Sequence, residues 1–137
     1  KKLGRETAKK VISENRMHQA IIACGYRAAK GVRQQSEDLK ICNMQRLDDR
    51  SKYIAKTIQK KYAFIQLKKS RDNDHFNTDV QQLKQHDMRI NYFHSESKKE
   101  MEQLFQSGVD FILTDRLEPM LEAFKTMTPG AMQSSHQ

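Results

Sequence analysis

The chain has 137 residues, with 25 Lys and Arg against 17 Asp and Glu. That length suits one domain with a modest core, and 36% hydrophobic with 31% charged residues excludes a disordered chain. No run of 18 apolar residues is available to span a membrane, and basic Lys1 to Lys10 lacks the apolar core of a signal peptide.

Short apolar runs alternate with amphipathic stretches along the whole chain. Glu6 to Asn15 is predicted to be a helix, with Ala8, Val11 and Ile12 on one face. Ala20 to Cys24 is the first predicted strand, ending at Gly25, and Tyr26 to Gln35 is a helix with Tyr26, Ala29 and Val32 inward. Lys40 to Met44 is the second strand. Asp48 or Asp49 caps the next helix, which runs to Tyr62 with Ile54, Ile58 and Tyr62 at i, i+4 and i+8.

Phe64 to Leu67 is the third strand, and Lys69 to His75 is a polar loop. Asn77 or Thr78 caps a helix to His86 that carries Val80 and Leu83. Ile90 to Phe93 is the fourth strand. Ser95 or Ser97 opens a helix with Met101, Leu104 and Phe105 inward. Glu100 lies at capping-box spacing from Ser97, and Gly108 closes that helix. Phe111 to Leu113 is the fifth strand, and Leu117 to Met127 is a last helix with Pro119 in its first turn. Residues 128–137 are expected to be a flexible tail.

The fold class is therefore α/β: five parallel βα units, because strands with little alternation joined by helices belong to a parallel sheet covered by helices. Five such units form an open sheet or part of a (β/α)₈ barrel. A whole barrel needs about 250 residues. The chain opens on a helix, as a barrel cut after its third strand would. In the barrel reading Ile21, Ile41, Ile65 or their neighbours face the interior. Cys24 and Cys42 sit in apolar runs and are expected to be buried thiols; their spacing forms neither a zinc site nor a disulfide framework.

The segment Arg89 to Met120 carries a more specific signal. Gly108-Val109-Asp110 and Thr114-Asp115-Arg116 resemble the G-V-D-G-I-x-T-D-x-P ending of the glycerophosphodiester phosphodiesterase family. There the preceding strand ends near W-T-V-N; here Phe93 stands for the tryptophan, His94-Ser95-Glu96 for the T-V-N, and Phe111 for a glycine. The resemblance covers about residues 6 to 125. It implies that residues 1–127 are the C-terminal part of a TIM (β/α)₈ barrel, strands four to eight. It also implies a hydrolase whose intact form cleaves a glycerophosphodiester to an alcohol and sn-glycerol 3-phosphate with a bound divalent cation, Ca²⁺ or Mg²⁺.

The family's His-Arg-Gly motif, its E-x-D pair, its second histidine and its E-x-K motif have no counterpart in this sequence. Gln66-Leu67-Lys68 matches E-x-K in form only, because glutamine is a poor ligand for a hard cation. No catalytic residue, metal ligand or cofactor is therefore expected in this chain, and alone it is expected to be inactive. Substrate contacts are expected at strand ends, where a barrel builds its reactive face. Lys68 is a candidate for a phosphate contact, or a solvated lysine beside Lys69. Phe93 is a candidate wall for the alcohol moiety, or core. His94 is a candidate donor to phosphate, or a loop histidine. Asp115 is a candidate for orienting a ligand, although Thr114 or Asp115 equally suits a helix cap.

Two further readings stand beside this one: a non-catalytic basic binding or structural protein that keeps the half-barrel, and an unrelated small α/β domain. The net charge of +8 favours phosphates, lipid headgroups or nucleic acid, with the basic residues spread over every predicted helix. Nucleic acid is the weaker fit, since no aromatic-and-basic RNA motif is present. An open half-barrel also leaves two sheet edges and an apolar face. A partner is expected across it: the remaining barrel half, a second copy or another protein.

Overall fold

The apolar runs become strands and the amphipathic stretches between them become helices. The structure is a computed structural model that describes residues 1–45 and 49–127. Its elements are α1 (Lys2–Ser13), β1 (Ile21–Cys24), α2 (Tyr26–Arg33), β2 (Lys40–Asn43), α3 (Arg50–Gln59), β3 (Phe64–Lys68), α4 (Phe76–Gln85), β4 (Arg89–Phe93), α5 (Lys98–Ser107), β5 (Phe111–Leu113) and α6 (Leu117–Met127). A short 3₁₀ turn, Lys69–Arg71, follows β3. The strands form one sheet in sequence order, β1-β2-β3-β4-β5, and every pairing with a defined register is parallel. The expected tail at 128–137 and the alternative cap Asp48 lie outside the described residues. No described helix is long and apolar enough to cross a membrane.

The chain divides into two compact units, residues 1–66 with 83–89, and residues 67–82 with 90–137. In the first, α1 and α2 pack with their backbones nearly touching. A Cβ on Gly4 would meet the Ala28 carbonyl oxygen at 2.2 Å, and one on Gly31 the Lys1 carbonyl oxygen at 2.2 Å. Glycine is required at both places. Beneath them Ala8, Ile22, Ala29, Val32, Leu39, Ile41 and Tyr62 form one apolar cluster. Ile12, expected on that face, is exposed.

The strand phase corrects the expected barrel lining. Ile21 is 48% exposed while Ile22 is 9% exposed and packed among the helices. Ile22 pairs with Ile41 and Asn43 with Ile65. Residues paired across a parallel ladder share a face. Ile41 and Ile65 therefore point to the helices, and Ala23, Cys42 and Phe64 join Ile21 on the other face. In the second unit the same logic places Tyr92 and Ile112 toward the helices, and Asn91, Phe93, Phe111 and Leu113 opposite. Tyr92 meets the α4 ring of Phe76 edge-on at 6.0 Å. Phe111 and Leu113 remain exposed.

Helix ends explain the shifted boundaries. Asp49 caps α3 by accepting from the Lys52 amide at 3.0 Å. The Asn77 or Thr78 cap is corrected: α4 begins at Phe76, whose amide donates to the Asn73 carbonyl at 3.0 Å, while the Asn73 side chain accepts from the His75 amide. Asn15, Lys61 and Asp87 take left-handed conformations with φ of 53°, 50° and 57°, just past α1, α3 and α4. Gly108 closes α5 with φ 110°.

The buried face of α3 is Tyr53, Ile54 and Thr57 rather than Ile54 and Ile58. The reason is polar. Asn43, fully buried at the end of β2, donates its side-chain amide to the Thr57 hydroxyl at 2.8 Å, and Thr57 donates to the Tyr53 carbonyl at 2.7 Å. The Tyr53 hydroxyl reaches the carbonyl oxygens of Asn43 at 2.5 Å and Gln66 at 3.1 Å, tying α3 to the ends of two strands.

Candidate functional site

The sequence-predicted site residues Lys68, Phe93 and His94 all fall in the second unit, at the carboxyl ends of β3 and β4. The structure brings them together. The Lys68 ammonium stands 5.6 Å from the centre of the Phe93 ring, and the Phe93 and His94 rings lie 4.9 Å apart, tilted by 49°. Phe93 is on the partly exposed sheet face and is 36% exposed, so it lies outside the core. The Phe93–His94 peptide is cis.

The neighbouring lysine has a different role. The Lys69 ammonium pairs with Glu100 at 2.5 Å, and the buried Ser95 hydroxyl donates to the other Glu100 oxygen at 2.5 Å. Glu100 is thereby drawn away from the expected reciprocal capping box. The Ser97 hydroxyl still accepts from the Glu100 amide at 3.5 Å, and Ser95 accepts from the Ser97 amide at 3.3 Å. Burial alone would raise the Glu100 carboxyl, but the bonds from Lys69 and Ser95, with the positive charge of Lys69 and the His94 ring nearby, hold it below the ordinary carboxylate range. Lys68 has no such carboxylate among the described residues, which leaves its charge directed at the space beside Phe93 and His94.

The glycine-valine-aspartate motif is structural. Asp110 accepts from the Ile90 amide at 2.8 Å while its own amide donates to the Ile90 carbonyl at 3.0 Å, locking β4 to the start of β5. Thr114 accepts from the Arg116 amide at 3.0 Å, turning the chain into α6. Asp115 is exposed beside it. Sequence reasoning missed Ser95 and the diversion of Glu100; the short Ser95-Glu96-Ser97 run offered two equal caps.

The carboxylates around this cluster are already engaged. Among the described residues no three His, Cys, Asp or Glu side chains converge to hold a divalent cation. Glu100 is held by Lys69 and Ser95, Asp72 accepts from the Tyr92 hydroxyl at 2.5 Å, and Asp110 is bound to backbone. The arrangement can do something simpler: present an ammonium, an aromatic wall and an imidazole at the mouth of a parallel sheet.

Such a parallel βα array, with helices following each strand, is the architecture of the α/β class. Among the solved structures similar to it is a glycerophosphodiester phosphodiesterase from Parabacteroides distasonis, with a TM-score of 0.67 and 14% sequence identity over 93% of this chain. The chain spans 54% of that protein's length, as five βα units of a partial (β/α)₈ barrel would. The likeness is one of fold, and it accords with the resemblance carried by Gly108-Val109-Asp110 and Thr114-Asp115-Arg116. No protein-family model matches the sequence, and no curated protein matches it at a significant level.

Proposed function

We propose that this chain forms part of a glycerophosphodiester phosphodiesterase barrel, as its C-terminal strands four to eight, and walls the substrate pocket without supplying the catalytic centre. The observation that carries the reading is the Lys68, Phe93 and His94 cluster at the strand ends. In it Lys68 attracts the phosphate, Phe93 packs on the glycerol or alcohol carbons, and His94 donates to a phosphate oxygen. The divalent cation, Ca²⁺ or Mg²⁺, and the acid and base groups come from outside these 137 residues. A partner across the apolar face belongs to the same reading: the remaining strands, a second copy or another protein. In the second unit, exposed Phe111 and Leu113 offer that face.

The test has two arms. The purified chain should show no turnover of glycerophosphocholine or a nitrophenyl phosphodiester, with or without Ca²⁺ or Mg²⁺. Titration with sn-glycerol 3-phosphate, followed by nuclear magnetic resonance, should shift Lys68, Phe93 and His94, and Lys68→Ala should abolish those shifts. Metal-dependent turnover by homogeneous protein would overturn the first statement, and shifts confined to other residues the second.

A further inference from the structure

A groove in the first unit is lined mainly by cations and tyrosines. It lies between α2 and the end of α3, has a volume of about 590 Å³, and is lined by Tyr26, Arg27, Lys30, Arg33, Lys60 and Tyr62 with Ala29 and Gln34. Four of these residues are cations, and no carboxylate lines the groove among the described residues. Glu37 lines the adjoining depression with Arg33, Lys60 and Lys61. The floor is aromatic. Tyr26 and Tyr62 are parallel within 3° with centroids 6.2 Å apart; Arg33 stands 4.9 Å from the Tyr62 ring centre and Lys60 5.2 Å from that of Tyr26.

Two further observations concern this unit. The Tyr26 hydroxyl oxygen is buried and has no hydrogen-bond partner among the described residues. A buried polar group left unpaired is costly, and such groups in native proteins have a reason. The charge of the chain is also divided unequally. The first unit holds 18 Lys and Arg against seven Asp and Glu, net +11; the second holds seven against ten, net −3. The basic residues are therefore not spread evenly, as the sequence alone suggests. Uncompensated cations over a low-dielectric floor concentrate the field on an anion.

We propose that this groove binds a small organic phosphate, with the phosphate on the rim formed by Arg27, Lys30 and Lys60 and the apolar body against the Tyr26–Tyr62 pair. Arg33 has a supporting role, because its guanidinium is spent on the Lys61 carbonyl at 2.9 Å and on the Tyr62 ring. Burial pushes the Tyr62 hydroxyl up despite the Arg33 charge beside it, so the floor carries no negative charge of its own. The groove belongs to the first unit, whereas Lys68, Phe93 and His94 belong to the second, so its success or failure is independent of the phosphodiesterase reading.

The experiment titrates the whole chain by calorimetry with adenosine triphosphate, inorganic tripolyphosphate, inositol hexakisphosphate and a single-stranded oligonucleotide. Adenosine triphosphate should bind one to one and about tenfold tighter than tripolyphosphate, because only the former has a body to cover the tyrosines. Arg27→Glu with Lys30→Glu, both on exposed positions, should weaken binding at least about tenfold. The charge-matched pair Lys9→Glu with Lys10→Glu on α1 should change it by less than about twofold, since those cations stand outside the groove. Tyr26→Ala, which removes one ring of the floor, should weaken adenosine triphosphate severalfold and leave tripolyphosphate within about twofold, while Tyr26→Phe should keep both affinities. If inositol hexakisphosphate binds in the groove best, the rim stands and the aromatic part of the proposal falls. Equal losses from both charge pairs, or a preference for the oligonucleotide with a steep salt dependence, would reduce the groove to a general basic surface and overturn the proposal.

Discussion

Thr57→Val tests whether α3 is held to the strand ends by the Asn43 network. The substitution is close in shape and in helix propensity, so it changes one thing: the hydroxyl that accepts from the Asn43 amide at 2.8 Å disappears. The Asn43 side chain is 0% exposed, so no solvent stands ready to replace that acceptor. The Tyr53 carbonyl, which Thr57 also bonds, keeps its helical position and loses little. An unpaired buried amide donor costs about 1–3 kcal/mol. The expected loss is about 2 kcal/mol, or about 6–8 °C in Tm for a chain of this size. Urea unfolding followed by circular dichroism should show a lower midpoint at unchanged slope. Asn43→Leu combined with Thr57→Val should cost less than the two single losses added, because the stranded donor is removed with its acceptor. A Thr57→Val protein within about 0.5 kcal/mol of the parent would refute the reasoning, since surface changes commonly stay within that range.

Two other outcomes follow from the titrating groups. The folded Glu100 carboxyl titrates below its ordinary value of 4.5, so its contribution is full above that pH and is lost as pH falls through the folded value. The Glu100 side chain is 26% exposed and that of Lys69 65%, so Glu100→Gln should cost about 1 kcal/mol or less at pH 7, and the gap to the parent should close as pH falls through the folded value; a gap that persists once the carboxyl is protonated would show that charge is not its source. Burial, with Cys24 beside it, pushes the Cys42 thiol up to about 11, and burial raises Cys24 by itself. At pH 8 in native protein Cys42 should resist Ellman's reagent and Cys24 should react more slowly than a free thiol, with mass spectrometry assigning the label; labelling of Cys42 at the rate of unfolded protein would contradict its burial.

The five strands were legible because strands of a parallel sheet read as nearly unbroken apolar runs, as Phe64-Ile65 and Phe111-Ile112-Leu113 do. The same property hides phase. With apolar residues on both sides, nothing local says that Ile41 and Ile65 face helices while Ile21 does not; the ladder register decides that. Helix ends were legible where chemistry marks them, at Asp49, Ser97 and Gly108. They were obscure where Asn15, Lys61 or Asp87 takes the left-handed turn that glycine usually signals. The Lys68, Phe93 and His94 cluster was within reach because all three end strands. The role of Glu100 was not, because a capping-box spacing gives no hint that a lysine from another element will claim the carboxylate. Asn43 and Thr57 were passed over for a related reason: a polar pair in a core is indistinguishable, in periodicity, from two surface residues. The basic groove depends on residues 26–34 and 60–62 folding together and on the acid-rich stretches gathering in the other unit.

The order of the sheet has a bearing on how the chain acquires its structure. Each strand pairs with the next in sequence, and the registered partners Ile21 and Lys40, Cys42 and Phe64, and Asn91 and Phe111 are all about twenty residues apart. Closing such loops costs nearly the same entropy each time, since the cost grows only logarithmically with length. No strand has to wait for a distant one to be inserted between earlier neighbours. A ribosome could therefore deliver this sheet one βα unit at a time, each new strand finding its template already in place, and the growing edge rather than any remote contact would set the pace of assembly.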